Sequence, residues 1–285
     1  MLRIFTDTAA NVPPHLLEQY HITAMPLTYL LDGQPTELVG HDYYEAMRKG
    51  AEVKTSLVSP ALIRDTMESA LKDGDDVLYI AISGGISGTC WSAELMAEEL
   101  RGEYPDRMIR VLNTCGASLG EGLVVLEAAK MLEKGCTADE IIRQAEENCG
   151  RMRQFFMVDD LKYLRRGGRI SAAAQVAGSL LKIKPILQSD PEGHIIQHSK
   201  VRGQLKAMET LAELYKEYAV DGTRTVGIAH ADCAPDAQIL ASLLRRSSKP
   251  PKNILIVDYE PVTGSHVGPG ALALFFLADE NVRNI

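Results

Sequence analysis

Hydroxyl side chains cluster in a short glycine turn, Ser83-Gly84-Gly85-Ile86-Ser87-Gly88-Thr89, behind an apolar run, Val77-Leu78-Tyr79-Ile80-Ala81-Ile82, and ahead of a helical pattern over 91–100. A strand that ends in such a turn and feeds a helix aims hydroxyls and unpaired N–H groups at one point, which suits an anion. Three more segments carry reactive types. In Lys54-Thr55-Ser56-Leu57-Val58-Ser59-Pro60, Ser59 and Pro60 read as N-cap and first residue of a helix. Thr55 and Ser56 are then left to face a ligand, or to form an ordinary loop. Ser265-His266-Val267-Gly268-Pro269-Gly270-Ala271 repeats the glycine turn with a histidine and is expected to feed an apolar helix over 272–277. Arg169 follows Gly167-Gly168 and precedes a helical pattern of small and apolar residues over 172–181, an odd place for an idle guanidinium. Lys162, Arg165 and Arg166 read instead as a solvated face that complements a helix end. Thr6-Asp7-Thr8, at the end of the opening strand, reads as a cap.

Motif spacing removes several chemistries. No lysine follows the glycines as a Walker A loop requires, and Gly84, Gly85 and Gly88 lack the dinucleotide spacing. A nucleophile elbow fails because Thr89 stands where the last glycine belongs. An acyl hydrolase or transferase using Ser87 and His266 stays open as the alternative. The seven histidines show no i, i+4 pairing with carboxylates and the five cysteines no CxxC spacing, so no metal is expected.

The elements that must hold these residues read as α/β. Strands over 3–6, 77–82 and 108–112 alternate with helices over 60–71, 91–100 and 120–133, the pattern of a parallel sheet. Around 22–50 the alternation breaks at Leu27-Thr28-Tyr29-Leu30-Leu31-Asp32-Gly33, a hairpin followed by a short helix, which reads as an insertion capping the sheet. A helix over 134–150 leads to a second unit with strands at 154–158, 185–188, 195–200, 225–230 and 254–259. The turn Asp190-Pro191-Glu192-Gly193 marks an antiparallel hairpin there, so this half reads as mixed α/β. Domains are thus expected over 1–150 and 151–285.

Bulk properties fit a packed soluble protein: 285 residues, 46% hydrophobic and 24% charged. A net charge of −8 disfavours nucleic acid as a partner. Scattered, odd-numbered cysteines, no integral membrane segment and an N-terminus that runs straight into a strand point to reduced thiols and a cytoplasmic location.

Taken in order, Thr6-Asp7-Thr8, Lys54-Thr55-Ser56, Ile82-Ser83 with Ser87-Gly88-Thr89, Leu161-Lys162-Tyr163-Leu164 with Gly167-Gly168-Arg169-Ile170, Lys184-Pro185, and Gly268-Pro269-Gly270-Ala271 resemble the DegV family of bacterial fatty-acid-binding proteins. The family includes the acyl-carrying subunit of fatty acid kinase. The resemblance covers essentially the whole chain and departs from the usual pattern at Gly84-Gly85. It implies a two-domain fold with a long-chain fatty acid in a buried tunnel. By motif position Thr55 and Ser87 would bond its carboxylate, Arg169 and His266 would line the headgroup pocket, and Ser56, Ser83, Gly88, Thr89 and Gly268 would support it. Implied too is a partner, a separate ATP-dependent fatty acid kinase subunit that forms the acyl phosphate, so the carrier needs no catalytic nucleophile and no cofactor beyond its lipid. Helices expected over 172–181 and 271–278 are candidate tunnel walls.

Overall fold

The computed structural model describes residues 1–170, 183–220 and 225–282. From the N-terminus, β1 (Leu2–Asp7) ends in a 3-10 turn and is followed by α1 (Pro14–Gln19), β2 (Thr23–Met25), β3 (Thr28–Leu31), β4 (Gln34–Pro35), α2 (Gly40–Arg48) and β5 (Val53–Ser56). The chain continues through α3 (Pro60–Lys72), β6 (Asp76–Ala81), α4 (Thr89–Glu103), β7 (Ile109–Asn113), α5 (Leu119–Glu133) and α6 (Ala138–Arg151). Next come β8 (Met152–Met157), α7 (Lys162–Arg166), β9 (Ile183–Ser189), β10 (Ile195–Arg202) and α8 (Gln204–Tyr218). The last elements are β11 (Thr225–His230), α9 (Ala234–Arg245), β12 (Asn253–Asp258), α10 (Pro261–Val267) and β13 (Leu272–Leu277).

Alternation along β6 shows why the first sheet forms. Val77, Tyr79 and Ala81 pack with Ile63 and Met67 of α3 and with Ala93 and Ala97 of α4, while Leu78 and Ile80 pack with Val124 and Val125 of α5. Both faces are covered, so the strand reads as an unbroken apolar run and its sheet, β2-β1-β6-β7, is wholly parallel. The second sheet runs β10-β9-β8-β13-β11-β12 and is antiparallel except between β11 and β12. One face packs on α8 and α9 through Phe155, Leu272, Leu274 and Phe276. The other turns Phe156, Ala273 and Phe275 into the core that α5 shares with the first sheet. α5 therefore lies between the two sheets, which explains why even its Glu121 is fully buried.

The segment around 22–50 contributes to a third, antiparallel sheet, β4-β3-β5. Beside it, α2 buries Tyr43 and Tyr44 completely, and their hydroxyls donate to Pro261 O at 2.9 Å and Tyr259 O at 3.1 Å. The insertion thus grips the start of α10.

Two expectations are corrected. Residues 272–277 form a strand, not a helix: six apolar residues buried on both sides carry no period, and the run is short enough for a strand. Likewise Thr55 and Ser56 belong to strand β5 rather than a loop, because β3 supplies a pairing edge from a distant stretch of chain. The helix expected over 172–181 lies outside the described residues.

Candidate functional site

The headgroup turn is held from below and from the side. Buried Asp7 accepts from Ala9 N at 3.0 Å, capping the 3-10 turn, and from Ile82 N at 3.1 Å, where the glycine turn begins. Burial pushes its carboxyl up to about 7. Ser83 Oγ donates to Gly193 O at 3.0 Å and accepts from Gly85 N at 3.1 Å, which ties the turn to the β9–β10 hairpin. A Cβ on Gly85 would fall 2.7 Å from the Gly193 carbonyl carbon. The unusual Gly84-Gly85 step is therefore explained at Gly85 by close packing of two backbones.

Beyond this turn lies a cavity of about 400 Å³. Thr55, Ser56, Ser87, Gly88, Arg169 and His266 line it, as do apolar residues that include Leu164, Phe156, Ile195, Val262 and Phe275. Ser83, Thr89 and Gly268 are not among its lining residues. Thr89 supports from behind: its Oγ1 accepts from Ser87 Oγ at 3.0 Å and from Val58 N at 3.4 Å. Gly268 ends α10 with φ 80°, packed against Tyr163.

His266 lies in the last turn of a short helix, not in an open glycine turn. Glu260 caps that helix, accepting from Val262 N at 2.7 Å and Thr263 N at 2.5 Å. His266 Nε2 and Thr55 Oγ1 are hydrogen bonded at 3.0 Å, and a Cβ on Gly167 would collide with the ring at Nδ1. Burial first, and the Arg169 guanidinium second, push the imidazole down to about 4. It is neutral at pH 7. Arg169 donates from Nε to Ile86 O at 3.0 Å and from Nη1 to Gly167 O. Half-buried, its pKa is lowered by desolvation, and no carboxylate among the described residues pairs with it.

These residues bring a cation, hydroxyls and a neutral imidazole together in the wall of a mostly apolar cavity. A cation with no counter-ion among the described residues, beside neutral hydroxyl and imidazole groups, suits an anion. A serine nucleophile is less well served: Ser87 Oγ donates to Thr89, and His266 Nε2 bonds Thr55 instead. The histidine reading also needs correction, since His41 and Glu45 are four apart on α2 and meet Asp232, while Asp190, Glu192 and His194 meet in the β9–β10 turn. Arg48 Nη1 already donates to both Glu45 and Asp232, so the first group is neutralised by a cation of the chain itself.

Sequence reading missed Gln154, Phe156 and Phe275, which also line the cavity. Gln154 follows Arg153 at the polar start of β8, so the sequence did not set it apart.

A parallel sheet and a mixed sheet with a lined cavity against both define a mixed α/β architecture. Comparison with known proteins places it further. The family described as uncharacterised proteins of the DegV family matches residues 1–279, and the chain belongs to that family. A DegV domain-containing protein of Clostridium perfringens is 39% identical over 283 residues, covering 97% of each chain. Among solved structures, a DegV family protein of Thermus thermophilus, described for its fatty acid binding, superposes with a TM-score of 0.88 at 30% identity, over 97% of this chain and 99% of that one. A Ruminococcus gnavus family member described with vaccenic acid gives 0.87 at 26% identity, over 96% and 99%.

Proposed function

We propose that this protein binds a long-chain fatty acid, with the tail in the apolar cavity and the carboxylate held by Thr55, Ser87, Arg169 and His266. The observation that carries the reading is Arg169, a half-buried guanidinium without a carboxylate partner among the described residues, in the wall of a mostly apolar space. A buried tail gains about 0.8 kcal/mol per methylene, so it supplies most of the affinity and the headgroup needs only orienting. Ser56 and Gly88 line the clasp, while Ser83, Thr89 and Gly268 shape it from outside. The protein acts as a carrier, not an enzyme, and presents the carboxyl group to a separate ATP-dependent kinase subunit that forms the acyl phosphate. Its lipid is a ligand rather than a cofactor. That setting is cytoplasmic, and no helix among the described residues is long and apolar enough to cross a membrane. Residues 1–150 and 151–285 act as the two domains between which the lipid is held.

Solvent extraction of purified protein followed by mass spectrometry is expected to release fatty acid, and stripped protein to rebind it. Arg169→Ala should keep most of its lipid yet lower acyl phosphate formation in a reconstituted kinase reaction by about tenfold or more, the scale of one charge-assisted bond. No bound lipid and no rebinding would refute the reading. Equal kinase turnover in mutant and wild type would remove Arg169 from the headgroup.

A further inference from the structure

Gln154 is a buried amide that lines the cavity and touches none of the headgroup residues. On β8, alternate residues turn to the side that carries the cavity, so Gln154 and Phe156 line it in succession. After β8 the chain passes through α7 to Gly167 and Arg169, so β8 runs toward the headgroup. Gln154, two residues before Phe156, is therefore about 7 Å further from that end. Phe275 is its register partner on β13.

The amide is fixed by three hydrogen bonds to neighbours in the cavity wall. Nε2 donates to Cys115 O at 3.1 Å and Ser189 Oγ at 3.3 Å, and Oε1 accepts from Ala117 N at 3.1 Å. Behind it stands Gly120, where a Cβ would collide with Oε1. The side chain has no space to retreat into.

We infer that Gln154 is the floor of the acyl cavity and sets the longest chain the protein accepts, an inference that rests on the fatty-acid reading above. A methylene added to a shorter tail is simply buried. The first methylene that reaches Gln154 must either break the amide from Ala117 N, Cys115 O and Ser189 Oγ, at the cost of those hydrogen bonds, or lift the carboxylate off Arg169. Affinity thus turns downward at one length instead of levelling off.

The test is a binding series of straight-chain saturated acids from roughly eight to twenty-two carbons on lipid-stripped protein. In wild type each methylene should tighten binding about fourfold up to one length, and the next should weaken it. Gln154→Ala should shift that break to acids longer by about two carbons while the roughly fourfold gain per methylene among the shorter acids is retained. Acids that bind with the break unmoved in folded Gln154→Ala would overturn the floor while leaving the fatty-acid reading intact. If that variant does not fold, the wild-type series decides, since steady tightening or a plateau without a downturn overturns the proposal. Failure of every acid to bind wild type would instead refute the functional reading, and the floor with it.

Discussion

In the proposed site Arg169 offers charge and His266 a neutral hydrogen bond, and burial lowers the pKa of both. An imidazole pushed down to about 4 in the folded protein, against an ordinary value near 6.5, takes up its proton more readily when the chain unfolds. The unfolded state therefore binds more protons at this group between those values, and the His266 contribution to stability rises with pH across that window and is lost as pH falls toward 4. Asp7 and Glu121 act in the opposite sense, so the contribution is read as a difference: in denaturant titrations of lipid-free protein between pH 4 and 7, wild type should gain stability with rising pH relative to His266→Gln. An identical slope in the variant would show that His266 titrates normally. Thr55 and His266 are 211 residues apart, so no local pattern pairs them. What the sequence displayed was two polar segments of the right types; only the ordered resemblance to a family put them in one pocket. Gln154 stands beside Arg153 at the polar start of its strand, and its partners Cys115, Ala117 and Ser189 are 35 to 39 residues away.

At the scale of elements, α10 is seven residues long and has to hold His266 against Gly167. Its capping by Glu260 and the grip of Tyr43 and Tyr44 replace the internal stability that so short a helix lacks. Glu260→Ala is expected to cost about 1–2 kcal/mol in unfolding free energy and to weaken fatty-acid binding as well. Unchanged affinity would show that the cap does not position His266. Where β1 meets α5, Thr6 Oγ1 donates to Glu121 Oε1 at 2.8 Å, and burial, then Asp7, raises the Glu121 carboxyl. Raised carboxyls hold protons that the unfolded chain has released, so they withdraw stability as pH rises above the ordinary carboxylate range toward about 7 and beyond. Glu121→Gln keeps the acceptor for Thr6 and should flatten the loss of stability between pH 5 and 8; a steeper loss would contradict this account. Alternating strands and capped helices were legible because their burial is one-sided or their length distinctive. β13 was not, since a strand covered on both faces shows neither the period of a strand nor that of a helix.

The molecule as a whole places one continuous core across both sheets, with Leu78 and Ile80 of the first and Phe156, Ala273 and Phe275 of the second in the same packed set. Asn11 crosses the same seam, with its Nδ2 donating to Asp258 O at 2.8 Å and its Oδ1 accepting from Glu260 N at 3.1 Å. Thermal unfolding should therefore be a single transition, with two resolved calorimetric peaks counting against a shared core. The bond from Ser83 to Gly193 has a consequence at this scale. It couples the turn behind the clasp to a hairpin tip that borders solvent, where Asp190 and Glu192 surround Gly193. Gly193 lines the cavity on its inner side, so amide exchange at that tip becomes a gauge of what the cavity holds: filling the site with lipid should slow deuterium uptake over 190–194. Equal uptake with and without lipid would show that the hairpin is insulated from its cargo.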